Sequence, residues 1–207
     1  MEKKRRTREI VRQLKQLFPH AKIALHYSNP WELYVAVVLS AQATDKKVNE
    51  VTKTLFKKYR TLSDYTNASV SMFERDIKST GFFRNKTKNI LAAAKMVDNV
   101  YQGKISDNMS ELLKLPGVGR KTANVLLGNL YNKVEGIAVD THVIRLSRLF
   151  GLTNKKDPNK IEKDLMELLP KNEWFHFTYR MIEYGRTYCP AHCKHTDCPL
   201  RKFVVQT

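Results

Sequence analysis

Apolar residues recur along this chain at intervals of three and four, the spacing that lines one face of an α-helix. Ile10, Val11, Leu14, Leu17 and Phe18 form the first such face. Asn29-Pro30 then supplies a capping side chain followed by proline at the first helical position, opening an apolar helix over residues 31–39. Asp45 is placed to cap a third helix, whose Val48, Val51, Leu55 and Tyr59 are spaced for burial. Further helical patterns occupy 69–78, 86–102, 109–114, 120–131, 141–150, 158–169 and 172–185. Gly81, Gly103, Gly117, Gly119, Gly151 and Gly185 sit where these patterns stop. No run of strands, internal repeat, low-complexity tract or flexible linker interrupts them, so the expected fold class is all-α.

Composition narrows what this helical protein does. With 207 residues, 42% of them apolar, the chain is long enough for a sizeable core. The longest apolar run, 34–39, is far short of a membrane span. The N-terminal MEKKRRTREIVRQLK has no apolar core or cleavage site of a signal peptide, so a cytoplasmic location is expected. Charge changes the picture most. Lys and Arg number 37 against 20 acids, a formal +17. Such an excess gathers polyanions and favours phosphate contacts with counterion release, so nucleic acid is the leading partner. A basic protein without such a partner, or one that meets an anionic membrane surface, is the alternative on charge alone. Three cysteines, Cys189, Cys193 and Cys198, are confined to one short segment. An odd number so placed points to a metal site or its remnant rather than a disulfide framework.

The segment LLKLPGVGRKTANVLL carries the chemistry. Two helical patterns flank Leu115-Pro116-Gly117-Val118-Gly119. The glycines permit a tight turn and close approach of the backbone to another molecule. The turn also opens a helix, whose free N–H groups suit a phosphate oxygen. Val118 is placed to tuck inward. An ordinary helix-turn-helix corner has the same pattern. Lys121 follows Arg120 just inside the new helix, where a bound strand would lie, to pair with phosphate or to do chemistry. Further on, IAVDTHVI brings Asp140 to the start of another helix, where it also suits an N-cap.

These residues resemble a known family. LPGVGRKTANVLL followed by AVDTHVIRLSRLFGL is similar to the endonuclease III branch of the helix-hairpin-helix DNA glycosylases. LSAQATD at 39–45, TGFFRNK at 80–86 and the approach through Tyr184-Gly185-Arg186 to Cys189 extend the likeness over essentially the whole chain. The resemblance implies a bifunctional enzyme of base-excision repair, a DNA N-glycosylase and abasic-site lyase acting on oxidised pyrimidines in duplex DNA. Lys121 would be its nucleophile, neutralised through burial and cationic neighbours. Asp140 would move protons and stabilise positive charge at the breaking glycosidic bond. The hairpin residues Leu115, Gly117, Val118, Gly119 and Arg120 would grip the backbone. Gln42 and Phe82 would fill the hole left by the extruded nucleotide. His142 and Arg145 are weaker candidates for lining the cleft, a helix-surface role being the alternative. The implied organisation is two helical lobes with a DNA cleft between them: 23–134, ending in the hairpin, and 1–22 with 135–207. Lys121 would face Asp140 across the junction. A monomer is expected, associated with the nucleoid if the source is prokaryotic. The rivals are a glycosylase of the same fold for mismatches or oxidised purines, and a non-catalytic DNA-binding module.

The tail departs from the family. Relatives with a [4Fe-4S] cluster carry four cysteines, whereas this chain reads C-x3-C-x4-C, with no cysteine near Val204 where the fourth belongs. An intact cluster is therefore not expected, and none is needed for the chemistry. Three outcomes are open for the degenerate loop at 189–204. The loop is held by packing alone, or His192 or His195 completes a zinc site with the cysteines, or an incomplete cluster takes a foreign ligand. The basic residues Lys194, Arg201 and Lys202 suit phosphate in each case.

Overall fold

The computed structural model describes residues 2–205, and no strand occurs among them. The α-helices run in order as α1 (Glu2–Leu17), α2 (Pro30–Leu39), α3 (Asp45–Lys58), α4 (Leu62–Thr66), α5 (Val70–Ile77) and α6 (Phe83–Tyr101). They continue as α7 (Met109–Leu112), α8 (Arg120–Tyr131), α9 (Thr141–Leu149), α10 (Pro158–Leu168) and α11 (Trp174–Thr187). No described helix is long and apolar enough to cross a membrane. The chain forms two compact units. One is Ala24–Lys133, and the other joins the residues up to Ile23 with those from Val134 onward.

In the unit 24–133, α2 is the central helix. Every residue from Leu33 to Leu39 is buried, because the helix packs against α3, α6 and α8 at once. A helix apolar all round has no face left for water. Asn29 starts it as expected, accepting the Glu32 N–H at 2.9 Å. For α3 the cap is Thr44, not Asp45: Thr44 Oγ1 accepts the Lys47 N–H at 3.2 Å. Asp45 lies one residue too late to reach that N–H and instead places its charge in the positive first turn. Helix α6 begins at Phe83 rather than 86, because a left-handed residue at Phe82 redirects the chain into it.

In the second unit, Ile10 and Leu14 of α1 share one core with Val143, Leu146, Ile161, Leu165, Phe177, Met181 and Tyr184. Each such side chain contributes about 1.5–3 kcal/mol on burial. The segment entering α9 is fixed from both sides. Thr178 donates to the Ala138 carbonyl at 3.0 Å, and the Ile137 N–H donates to buried Glu162 at 3.2 Å. Gly185 does not end α11, which runs on to Thr187. It is glycine because a Cβ there would collide with His142 Nδ1.

Candidate active site

The hairpin is built by contacts far apart in sequence. Leu115 and Val118 are buried, so they anchor the turn and leave its backbone to face outward. The Val118 N–H closes the turn onto the Leu115 carbonyl at 3.1 Å. Tyr34 of α2 holds it from beneath, its hydroxyl donating to the Pro116 carbonyl at 2.5 Å. Burial pushes that phenol well above its ordinary range, so it remains a donor. The two glycines serve different ends. Gly117 has φ +78°, and a Cβ there would press on Asn89 at 3.1 Å. At Gly119 a Cβ would meet nothing within 4 Å, so the fold itself does not demand glycine there.

Gly119 is the N-cap of α8 and supplies no side chain to its first N–H groups. Those donors point out of an end that carries partial positive charge. Arg120 and Lys121 stand exposed on this first turn. The expected burial of Lys121 is absent, since its side chain lies at the surface.

Beside the hairpin, Gln42, Phe82, Asn85, Lys86, Asn89 and Gly117 line one hollow of about 190 Å³. Gln42 and Phe82, the two residues expected to fill the base-pair gap, are both left-handed, at φ 54° and 47°. That conformation costs a residue with a Cβ about 1–2 kcal/mol. Phe82 is 65% exposed, an aromatic ring left in water. A feature that sequence reasoning missed holds both loops. Lys86, 4% exposed, donates to the Leu39 carbonyl at 2.8 Å and to the Thr80 carbonyl at 2.7 Å. Burial holds its ammonium below the usual lysine range. The available signal was a lysine on the stripe of α6 shared by Ile90, Ala93 and Val97.

In the other unit, Asp140 is half-buried and caps α9, Oδ1 accepting the Val143 N–H at 2.8 Å. The bond fixes the carboxylate's direction. His142 is half-buried against the backbone of α11 at Gly185, a packing role. Arg145 is also committed elsewhere, donating to the Cys189 carbonyl at 2.6 Å and toward its sulfur at 3.6 Å.

The cysteine loop is a possible metal centre. Cys189, Cys193, Cys198 and His195 bring their donor atoms within 4.8 Å of one another, whereas His192 stays exposed. Burial raises the Cys189 thiol and pushes that of Cys198 to about 12. Cys193 is lowered by the hydrogen bond from Cys198 and by the His195 N–H.

Residues 35–171 match the model of the HhH-GPD superfamily of base excision DNA repair proteins. The chain is 48% identical to an endonuclease III of Bacillus subtilis over 186 residues, covering 89% of this chain and 84% of that one. It is 46% identical to an endonuclease III of Synechocystis sp. over 189 residues, covering 91% and 86%. It also resembles the solved structure of a trapped endonuclease III–DNA covalent intermediate. There the TM-score is 0.93 at 43% identity, over 97% of this chain and 95% of the other.

Proposed function

Since the chain belongs to the endonuclease III family of the HhH-GPD superfamily, we propose that Lys121 and Asp140 carry the reaction of that family. The protein is a bifunctional base-excision repair enzyme. It removes damaged pyrimidines from duplex DNA and cleaves the resulting abasic site. A duplex DNA substrate supports a cytoplasmic location, at the nucleoid if the source is prokaryotic.

One observation carries the residue assignment. A helix N-terminus with no side-chain cap from Gly119, a glycine the fold does not require, stands directly before an exposed lysine. A helix N-terminus without a side-chain cap suits a phosphate oxygen, and a bare Cα at Gly119 lets the strand come close. Lys121 is then within reach of the sugar beside that phosphate. The strand seated over it takes water from the amine, a desolvation that the free protein does not supply.

The neutral Lys121 Nζ attacks C1′ of the extruded nucleotide. The C1′–N bond breaks and its electron pair leaves with the base, which takes up a proton. The sugar ring opens to a Schiff base between C1′ and Nζ. Loss of a C2′ proton then expels the 3′ phosphate with the C3′–O electron pair, and water releases Lys121. Asp140, held in one direction by its cap bond, stabilises the cationic sugar and handles the protons. Phe82 and Gln42, fixed in strained loops beside the hairpin, fill the vacated stack.

Borohydride reduction tests this. The protein should form a covalent adduct with abasic duplex DNA. Lys121→Ala should abolish the adduct while retaining DNA binding. An undiminished adduct from Lys121→Ala would assign the nucleophile elsewhere.

A further inference from the structure

The four-iron cluster of the family needs four thiolates, each on a different iron, which spreads the sulfurs wider than the ligands of one ion. This chain has three cysteines in all. Their sulfurs and His195 converge within 4.8 Å. The donor set does not fit the cluster.

It fits a single ion. Four tetrahedral ligands about 2.3 Å from one zinc lie about 3.8 Å from each other. Here Cys193 and Cys198 are 3.1 Å apart, Cys189 and His195 Nδ1 3.4 Å, and Cys198 and His195 Nδ1 4.0 Å. The loop is bent to achieve this. His195 has φ 58°, a left-handed conformation uncommon among residues with a Cβ, though histidine adopts it more often than most. Such local strain persists where the surroundings hold it, often at a ligand clamp. The surroundings also suit thiolates. The His195 N–H donates to Cys193 Sγ at 3.3 Å, and Arg145 reaches Cys189 Sγ at 3.6 Å. Donors of this kind orient metal-bound sulfur and moderate its charge.

We infer that Cys189, Cys193, His195 and Cys198 form a closed Cys3His site for one Zn²⁺, in place of the family's iron–sulfur cluster. Soft thiolates with one imidazole in tetrahedral array select zinc among common divalent ions. On binding, the three thiol protons go to solvent. All four positions are filled by protein, leaving none for water, so the ion is structural. Cys189 and Cys198 belong to the core of their unit together with Leu200. The ion therefore ties the exposed turn carrying Lys194 onto that core.

The test is made on the full chain purified from cells grown with both iron and zinc salts. Metal analysis should give about one zinc per chain and no visible iron–sulfur absorption. After exchange with Co²⁺, the protein should show the intense ligand-field bands of a tetrahedral site and thiolate-to-cobalt charge transfer. His195→Ala should lose at least about 100-fold in Co²⁺ affinity. His195→Cys should keep a tetrahedral ion with shifted bands, and His192→Ala should change neither affinity nor spectrum. A brown protein with several irons per chain overturns the inference. So does a wild type that takes up neither zinc nor Co²⁺, or a His195→Ala that binds as wild type does with the same bands.

Discussion

Replacing Lys86 with methionine keeps the length and shape of the side chain and removes only the ammonium. Two carbonyl oxygens, of Leu39 at the end of α2 and of Thr80 before Gly81, then lose their donor. Both residues are buried, so water does not readily replace it. Hydrogen bonds from a charged donor contribute about 1.5–3 kcal/mol each, so the loss is about 3–6 kcal/mol. Burying a thioether instead of an ammonium offsets part of this, about 1–3 kcal/mol. The net expectation is a destabilisation of about 2–3 kcal/mol, the middle of a resulting range of about 0–5 kcal/mol, or roughly 4–12 °C in Tm for a chain of this length. Function should suffer beyond stability, because the two tied loops run into Gln42 and Phe82. Preference for lesion-bearing over intact duplex should fall at a temperature where the variant is fully folded. Urea unfolding with a shared m-value, alongside binding to paired lesion and intact duplexes, measures both effects. Lys88→Met, at an exposed neighbouring position, is the control and should stay within about 0.5 kcal/mol. If Lys86→Met matches that control in stability and in lesion preference, Lys86 is not what holds these loops.

Gly117→Ala should cost about 1–2 kcal/mol, because an alanine must adopt φ +78° and press on Asn89. Duplex affinity should fall with it, whereas Gly119→Ala should keep stability within about 0.5 kcal/mol and weaken only the DNA complex. Equal stability losses at the two glycines would refute their separate roles. Phe82→Gly relieves a left-handed residue and should raise stability by about 1 kcal/mol. The same change should slow base removal from duplex, measured by single-turnover excision, and an unchanged rate would show that Phe82 does not fill the stack.

Helix periodicity made the all-α fold legible, since a helix is closed by hydrogen bonds between near neighbours and its buried stripe is written in local spacing. Asn29-Pro30, the hairpin glycines and Asp140 were readable for the same reason: a cap reaches only three residues. Where local signals erred, the error was itself local. Asp45 was a residue away from the true cap at Thr44, and Gly185 was taken as a stop when its bareness serves His142. The three-cysteine set was plain in the sequence, and the structure brings its sulfurs together with one histidine. Which histidine joins the cysteines was not, because His192 and His195 differ only in how the loop bends around φ 58°. Only the tertiary structure brought Lys86 to Leu39, Tyr34 to Pro116 and Asn89 to Gly117. Those contacts join segments 47 and 82 residues apart in the first two cases. A lysine or tyrosine has no local preference that announces such a partner. Sequence sets the helices and the reactive types, and packing decides which of them are held still enough to act.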